Sequence, residues 1–268
     1  MKARVQSYLA LLPLCLFLAA SPPAVAETVL HVAYEDKTQF PYYMGDTEKV
    51  LENPGAAVEL VKLVEERIPG LRIKFSRYPW KRCLAMLETG QVDGIFNASY
   101  NAARTRIGEY PRRDGQVDPT RRLTTISYHL YALPDTDLGW SGEAFKDSDL
   151  EIGAPLGYSI VNDLENLGVS VMKVRSSRQS LQLLTAGRVH AVALQSVTAD
   201  FLLSRNADQL PGIVRIEPPL KTKPYYLMLS REFKAANPEL SEQIWDAIGE
   251  LREEKLEALA QPYLSEPG

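Results

Sequence analysis

Two long stretches of this 268-residue chain alternate short apolar strands with amphipathic helices, and that alternation limits the fold more than any other feature. In the first, Leu30-His31-Val32-Ala33-Tyr34 reads as a strand, 56–68 as a helix and Leu71-Arg72-Ile73-Lys74-Phe75 as a strand with alternating apolar positions. Helix 80–88 and strand 92–96 follow. The second stretch opens at Glu151-Ile152-Gly153 and continues as helix 159–167, strand 169–174, helix 177–186, strand 190–194, helix 196–204 and strand 213–216. Runs of βαβ units pack as a mostly parallel sheet with helices on both faces. The fold class is therefore α/β, in two halves.

Between the halves lie Tyr128-His129-Leu130-Tyr131-Ala132-Leu133 and Tyr225-Tyr226-Leu227-Met228-Leu229, both strand-like. The chain ends in helix 238–260, whose Leu240, Ile244, Ile248 and Leu251 recur at helical spacing and suit docking onto the first half. The chain then crosses twice between halves. That gives two lobes around a cleft, with residues 27–128 and 225–268 in lobe 1 and residues 129–224 in lobe 2. Residues 109–123 carry Arg112, Arg113, Arg121 and Arg122, but Asp114 and Asp118 are interleaved and the chain is net acidic. This segment reads as a solvated loop and not as a nucleic-acid surface.

The first 26 residues stand outside the pattern. Lys2 and Arg4 precede an apolar run from Tyr8 to Ala20, then Ser21-Pro22-Pro23 and Ala24-Val25-Ala26. This order reads as a secretory signal peptide cleaved after Ala26, too short for a membrane span. Cleavage removes two basic residues and no acid, taking the formal charge from −4 to −6. Cys15 follows Leu14 and not the small residue that a lipid anchor needs. Cys83 is then the one mature cysteine, placed on the apolar face of a helix, where it reads as buried and inert. An exported domain without a disulfide relies on its core.

The block from Trp80 to Arg104 runs helix, Gly90-Gln91-Val92-Asp93 turn, apolar strand and polar loop ending in arginine. Ligands of open α/β sheets bind outside the carboxyl ends of strands, and arginine matches a carboxylate bidentately. The block reads as a site for a small acidic molecule.

Further pieces join it: Phe40-Pro41-Tyr42 after the first strand, Gly55-Ala56-Ala57-Val58-Glu59-Leu60 at a helix start, Asn97 to Arg104, Gly157-Tyr158-Ser159, and Gly187-Arg188-Val189-His190-Ala191-Val192. In order and spacing they resemble the bacterial extracellular solute-binding proteins of family 3, the polar amino acid receptors of ABC importers. The resemblance covers most of the mature chain. It implies the two-lobed type II periplasmic-binding fold, a monomer without cofactor, a small-molecule ligand of amino-acid type, and an ABC permease in the inner membrane as partner.

The resemblance also implies site residues. Arg104 matches the clamp on the ligand carboxylate, with Ser99 and Asn97 in the same segment, and Gly157-Tyr158-Ser159 matches the opposing turn at a helix start. Ser159 also reads as an ordinary helix cap. Phe40 and Trp80 match rings that enclose the ligand side chain. Glu35 stands where relatives often carry an acid for a cationic group. At the position of the aspartate that pairs with an α-ammonium this chain has Gln195, so either Glu35 takes that task or the ligand lacks an ordinary ammonium.

Other functions compete on the same fold. A periplasmic dehydratase-like enzyme would need a positioned acid or base, and Glu35 alone offers itself. A ligand-sensing subunit for a membrane kinase or cyclase would need only cleft closure. No Gly-x-Ser-x-Gly, His-Glu-x-x-His, Cys-x-x-Cys or phosphate-loop pattern occurs, and His31, His129 and His190 are scattered over strand-like segments. The sequence therefore reads as a binding protein, not an enzyme, with no metal site.

Overall fold

The computed structural model describes residues 27–147 and 149–265; the expected signal peptide lies outside them. In chain order the elements are β1 (Thr28–Glu35), α1 (Ala56–Arg67), β2 (Leu71–Tyr78), α2 (Trp80–Glu88), β3 (Gly94–Ser99), a hairpin of β4 (Arg112–Arg113) and β5 (Gln116–Val117), and β6 (Thr124–Ala132). Then come β7 (Glu151–Pro155), α3 (Ser159–Asn166), β8 (Ser170–Val174), α4 (Ser177–Thr185), β9 (Ala191–Gln195), α5 (Ser196–Arg205), β10 (Val214–Leu229), α6 (Arg231–Ala236) and α7 (Pro238–Ser265).

Both lobes follow the expected βαβ logic. In lobe 1, β1 runs parallel to β2 and β3; in lobe 2, β7 runs parallel to β8 and β9. The two expected sheets are joined into one, however, with eight strands in the order β2-β1-β3-β10-β6-β9-β7-β8. The join is antiparallel: β10 pairs with both β3 and β6, and β6 pairs with β9.

The two segments expected at 213–216 and 225–229 are ends of a single strand, β10. Its register against β6 shifts between Ile216 and Lys221, where Pro218 and Pro219 supply no N–H to the ladder. The segment expected at 128–133 begins earlier, at Thr124. The polar loop expected after residue 96 is still strand: β3 continues through Asn97 to Ser99, and Arg104 sits in a short 3-10 helix over Ala102–Arg106. Asn101 caps that helix by accepting from the Ala103 N–H.

The C-terminal helix docks as its apolar stripe requires. Ile244, Trp245, Ile248 and Leu251 of α7 are buried with Leu30 and Val32 of β1 and Leu60, Val61 and Val64 of α1. Each such aliphatic side chain contributes roughly 1.5–3 kcal/mol on burial. The end of α7 ties to the start of α1, where the Tyr263 hydroxyl accepts from the Gly55 N–H at 2.9 Å. Gly55 has φ 110°, and a Cβ there would lie 2.4 Å from the Tyr43 Cα, so only glycine fits.

The loop expected at 109–123 is solvated over residues 112–116, and its later part, 120–122, also fastens α7. Arg121 reaches Glu242 at 2.5 Å and Asp246 at 2.7 Å, and Arg252 donates to the carbonyls of Thr120 and Arg122. The interleaved acid Asp118 pairs with Arg113 at 3.1 Å and accepts from Thr120. Cys83 is fully buried, and burial pushes its thiol pKa up. No helix of the described residues is long and apolar enough to cross a membrane.

Candidate functional site

Where the carboxyl ends of β1, β3 and β9 meet the start of α3 and the middle of the two crossing strands, the lobes enclose a cavity of about 10 Å³, room for one water at most. Lobe 1 brings Gln39, Tyr43, Trp80, Asn97, Ser99 and Arg104 to it. Lobe 2 and the crossings bring Tyr158, Ser159, Gln195, Tyr128 and Tyr225. Of the expected site residues, Trp80, Asn97, Ser99, Arg104, Tyr158, Ser159 and Gln195 are thus gathered in one place.

Arg104 is 8% exposed although it lies on a surface turn. Its Nη1 donates to the Ser99 carbonyl at 3.0 Å and to Ser99 Oγ at 3.4 Å, and its Nη2 donates to the Gly157 carbonyl of the opposite lobe at 2.8 Å. The guanidinium lies 5.5 Å from the centre of the Trp80 ring, whose Nε1 donates to the same Gly157 carbonyl at 3.2 Å. Gly157 has φ 84°, and a Cβ would stand 3.1 Å from Lys81 Cγ and 3.3 Å from Trp80 Cδ1. Glycine is what lets this carbonyl approach both donors.

Ser159 does not cap its helix. The helix starts on it, with Tyr158 as the flanking residue, and the Ser159 hydroxyl accepts from Ser99 Oγ at 2.7 Å and from Lys223 Nζ at 3.0 Å. Lys223, on β10, is also ion-paired with Asp163 one helical turn further along α3. Burial lowers the Lys223 pKa, and Asp163 opposes that shift.

Glu35 stands behind the cavity wall. Its Oε2 accepts from the Tyr158 hydroxyl at 2.5 Å, from Gln39 Nε2 at 3.0 Å and from the Tyr43 hydroxyl at 3.4 Å. Burial raises its carboxyl pKa to about 7, against the hydrogen bonds of Tyr158 and Gln39, which favour the charged form. The hydroxyls of Tyr43 and Tyr158 are pushed well above 10, first by burial and then by the Glu35 charge.

Gln195 ends β9 and faces the crossing strands. Its Nε2 donates to the Tyr128 hydroxyl at 3.2 Å and to the Tyr225 hydroxyl at 3.5 Å, and Tyr225 donates to Tyr128 at 2.8 Å.

Besides Glu35, two expected residues are placed otherwise. Phe40 is not among the cavity walls; its ring stacks on Phe201 of α5 with centroids 4.1 Å apart, a contact between the lobes. Gly157 contributes its carbonyl from the rim. Gln39, Tyr128, Tyr225 and Lys223 were not singled out from the sequence. Tyr128 and Tyr225 fall in the segments read as crossings, but nothing in a linear pattern says that their hydroxyls meet.

Two α/β lobes joined by paired strands, with a polar cavity at the carboxyl ends of their sheets, define the class of two-lobed solute-binding proteins. The chain belongs to the bacterial extracellular solute-binding proteins, family 3, whose profile matches residues 30–266. Among curated proteins none matches it.

Solved structures share the fold. An amino acid ABC transporter substrate-binding protein from Streptococcus pneumoniae bound to L-arginine is 18% identical, with a TM-score of 0.65 over 88% of this chain and 94% of that one. A histidine kinase sensor domain with similarity to periplasmic binding proteins is 18% identical, with a TM-score of 0.70 over 90% and 99%. An ancestral amino acid-binding protein, a precursor of cyclohexadienyl dehydratase, is 14% identical, with a TM-score of 0.64 over 88% and 94%.

Proposed function

We propose that this protein is exported to the periplasm by its N-terminal signal, captures a small carboxylate-bearing solute of amino-acid size between its lobes, and presents it to an ABC permease of the inner membrane. The observation that carries the reading is Arg104, a buried guanidinium whose Nη2 donates to a neutral carbonyl of the other lobe. When the lobes part, that donor is released. A carboxylate is a stronger acceptor than the carbonyl it replaces, because charge-assisted hydrogen bonds are roughly twice as strong as neutral ones.

The cavity admits no solute as it stands, so entry is coupled to lobe motion and closure to occupancy. The Ser99 and Ser159 hydroxyls, one from each lobe, stand beside the guanidinium and would share the carboxylate. The match to an ABC transporter substrate-binding protein supports the transport role.

The test is a thermal-shift screen of the mature chain against amino acids and small organic acids, followed by calorimetry on Arg104→Ala. A ligand that binds only the folded state raises the melting temperature. Arg104→Ala is expected to weaken any hit roughly 10- to 100-fold while leaving the fold intact. Unchanged affinity in that variant would remove the arginine from the site.

A second reading is favoured by Glu35. A buried carboxyl titrating at about 7 beside a tyrosine hydroxyl has the properties of a general acid. A dehydratase-like enzyme would use it, and mass spectrometry of each hit after incubation separates turnover from binding.

A further inference from the structure

The charge inventory of the cavity says more about the solute than its carboxylate. Among the described residues, Arg104 is the one charged side chain in the walls, and no carboxylate lines them. The next cation, Lys223, reaches the wall through Ser159, and its own counter-charge, Asp163, is spent on it. On the other side Glu35 lies behind Tyr158 and Gln39, and one of its oxygens already accepts from three donors. Gln195 turns its amide N–H toward two tyrosine oxygens and brings no charge.

A cationic group enclosed here would face Arg104 with no counter-ion in the walls. Burying an unpaired charge is among the largest penalties in protein energetics.

The neutral polar groups of the same walls ask for something else. Asn97 and Gln39 are each 4% exposed. Asn97 Nδ2, a donor, and Gln39 Oε1, an acceptor, have no hydrogen-bond partner among the described residues. Buried polar side-chain atoms are nearly always satisfied, so an orphaned donor and an orphaned acceptor in one cavity point to a bound group that supplies both partners. A hydroxyl does so, donating to Gln39 and accepting from Asn97. An oxo group satisfies Asn97 alone.

We infer that the solute is a small hydroxy- or oxo-carboxylic acid, a single anion whose second polar group is uncharged, and not a zwitterionic amino acid. The inference rests on the reading of Arg104 as the carboxylate anchor.

The experiment compares matched acids that differ only at the second group: lactate, pyruvate and alanine, then phenyllactate, phenylpyruvate and phenylalanine, each by calorimetry on the mature wild-type chain. The hydroxy or oxo acid is expected to bind at least about tenfold more tightly than its amino counterpart. Gln195→Glu, which adds a carboxylate to the wall, is expected to shift that preference toward alanine or phenylalanine.

Amino acids binding as tightly as their counterparts, with binding still lost in Arg104→Ala, would overturn the inference and leave the carboxylate-receptor reading standing. No binding by any of the six compounds would overturn both. An unchanged preference in a folded Gln195→Glu chain would also count against the inference. If that variant does not fold, the wild-type series decides alone.

Discussion

Glu35 shows at the residue scale how burial decides what a side chain does. From the sequence it was a carboxylate at a strand end, a candidate partner for a cation; in the fold it is 4% exposed and bonded to hydroxyl and amide donors. With its pKa raised from 4.5 to about 7, the folded state holds a proton that the unfolded chain releases across that interval. Stability from this group is therefore complete below pH 4.5 and is lost as pH rises through about 7. Relative to Glu35→Gln, wild type is expected to lose on the order of 3 kcal/mol over that window, read from urea unfolding at mildly acidic and mildly alkaline pH. A wild type that instead gains stability with pH would mean that the Tyr158 and Gln39 hydrogen bonds outweigh burial. Arg104 gives the parallel lesson: its identity was legible in the sequence, but its burial depends on two carbonyls, one of them from the other lobe.

Between β1 and α1, at the scale of elements, residues 36–55 form no long regular structure, yet they supply Gln39 and Tyr43 to the site. What holds this segment is Arg77 of β2, 1% exposed, whose guanidinium donates to the carbonyls of Glu35, Met44, Gly45 and Lys49. Tyr34 adds its ring at 4.9 Å. Arg77→Met keeps most of the volume and removes every one of those donors, so it is expected to cost about 3 kcal/mol or more, since each hydrogen bond to a charged group is worth roughly 1.5–3 kcal/mol. Denaturant unfolding measures the loss, and a cost below about 1 kcal/mol would show that the segment is held by other contacts. The elements themselves were largely readable from period and turn signals. The hairpin over 112–117 and its fastening to α7 were not, because Arg121 finds Glu242 and Asp246 only after the C-terminal helix has docked.

Across the whole molecule, polar contacts that close the lobes include Arg104 and Trp80 on the Gly157 carbonyl, Ser99 on Ser159, Tyr158 on Glu35, Gln39 on Tyr158 and Thr198 on the Phe40 carbonyl. Phe40 stacked on Phe201 adds an apolar clasp. A neutral hydrogen bond contributes about 1 kcal/mol and one to a charged group roughly 1.5–3 kcal/mol, so the balance between open and closed is within reach of a ligand. The Tyr158→Phe, Ser159→Ala double variant is expected to shift the chain toward the open form, seen as a larger radius of gyration in solution scattering. An unchanged radius would assign closure to the donors on the Gly157 carbonyl, the aromatic clasp and the crossing strands.

The chain's α/β class, its two lobes and most of its elements were determined by the sequence itself, because apolar period and turn residues are local properties of the chain. So was the presence of an arginine near the end of a strand. The tertiary structure alone decided that the two lobe sheets form one through β6 and β10, that Arg104 is buried, and that Glu35 faces Tyr158 while Phe40 meets Phe201. It alone set an orphaned amide of Asn97 and another of Gln39 in the wall of the same cavity. These pairings join residues far apart in the chain, and their energies depend on distance and desolvation, which exist only once the chain has folded.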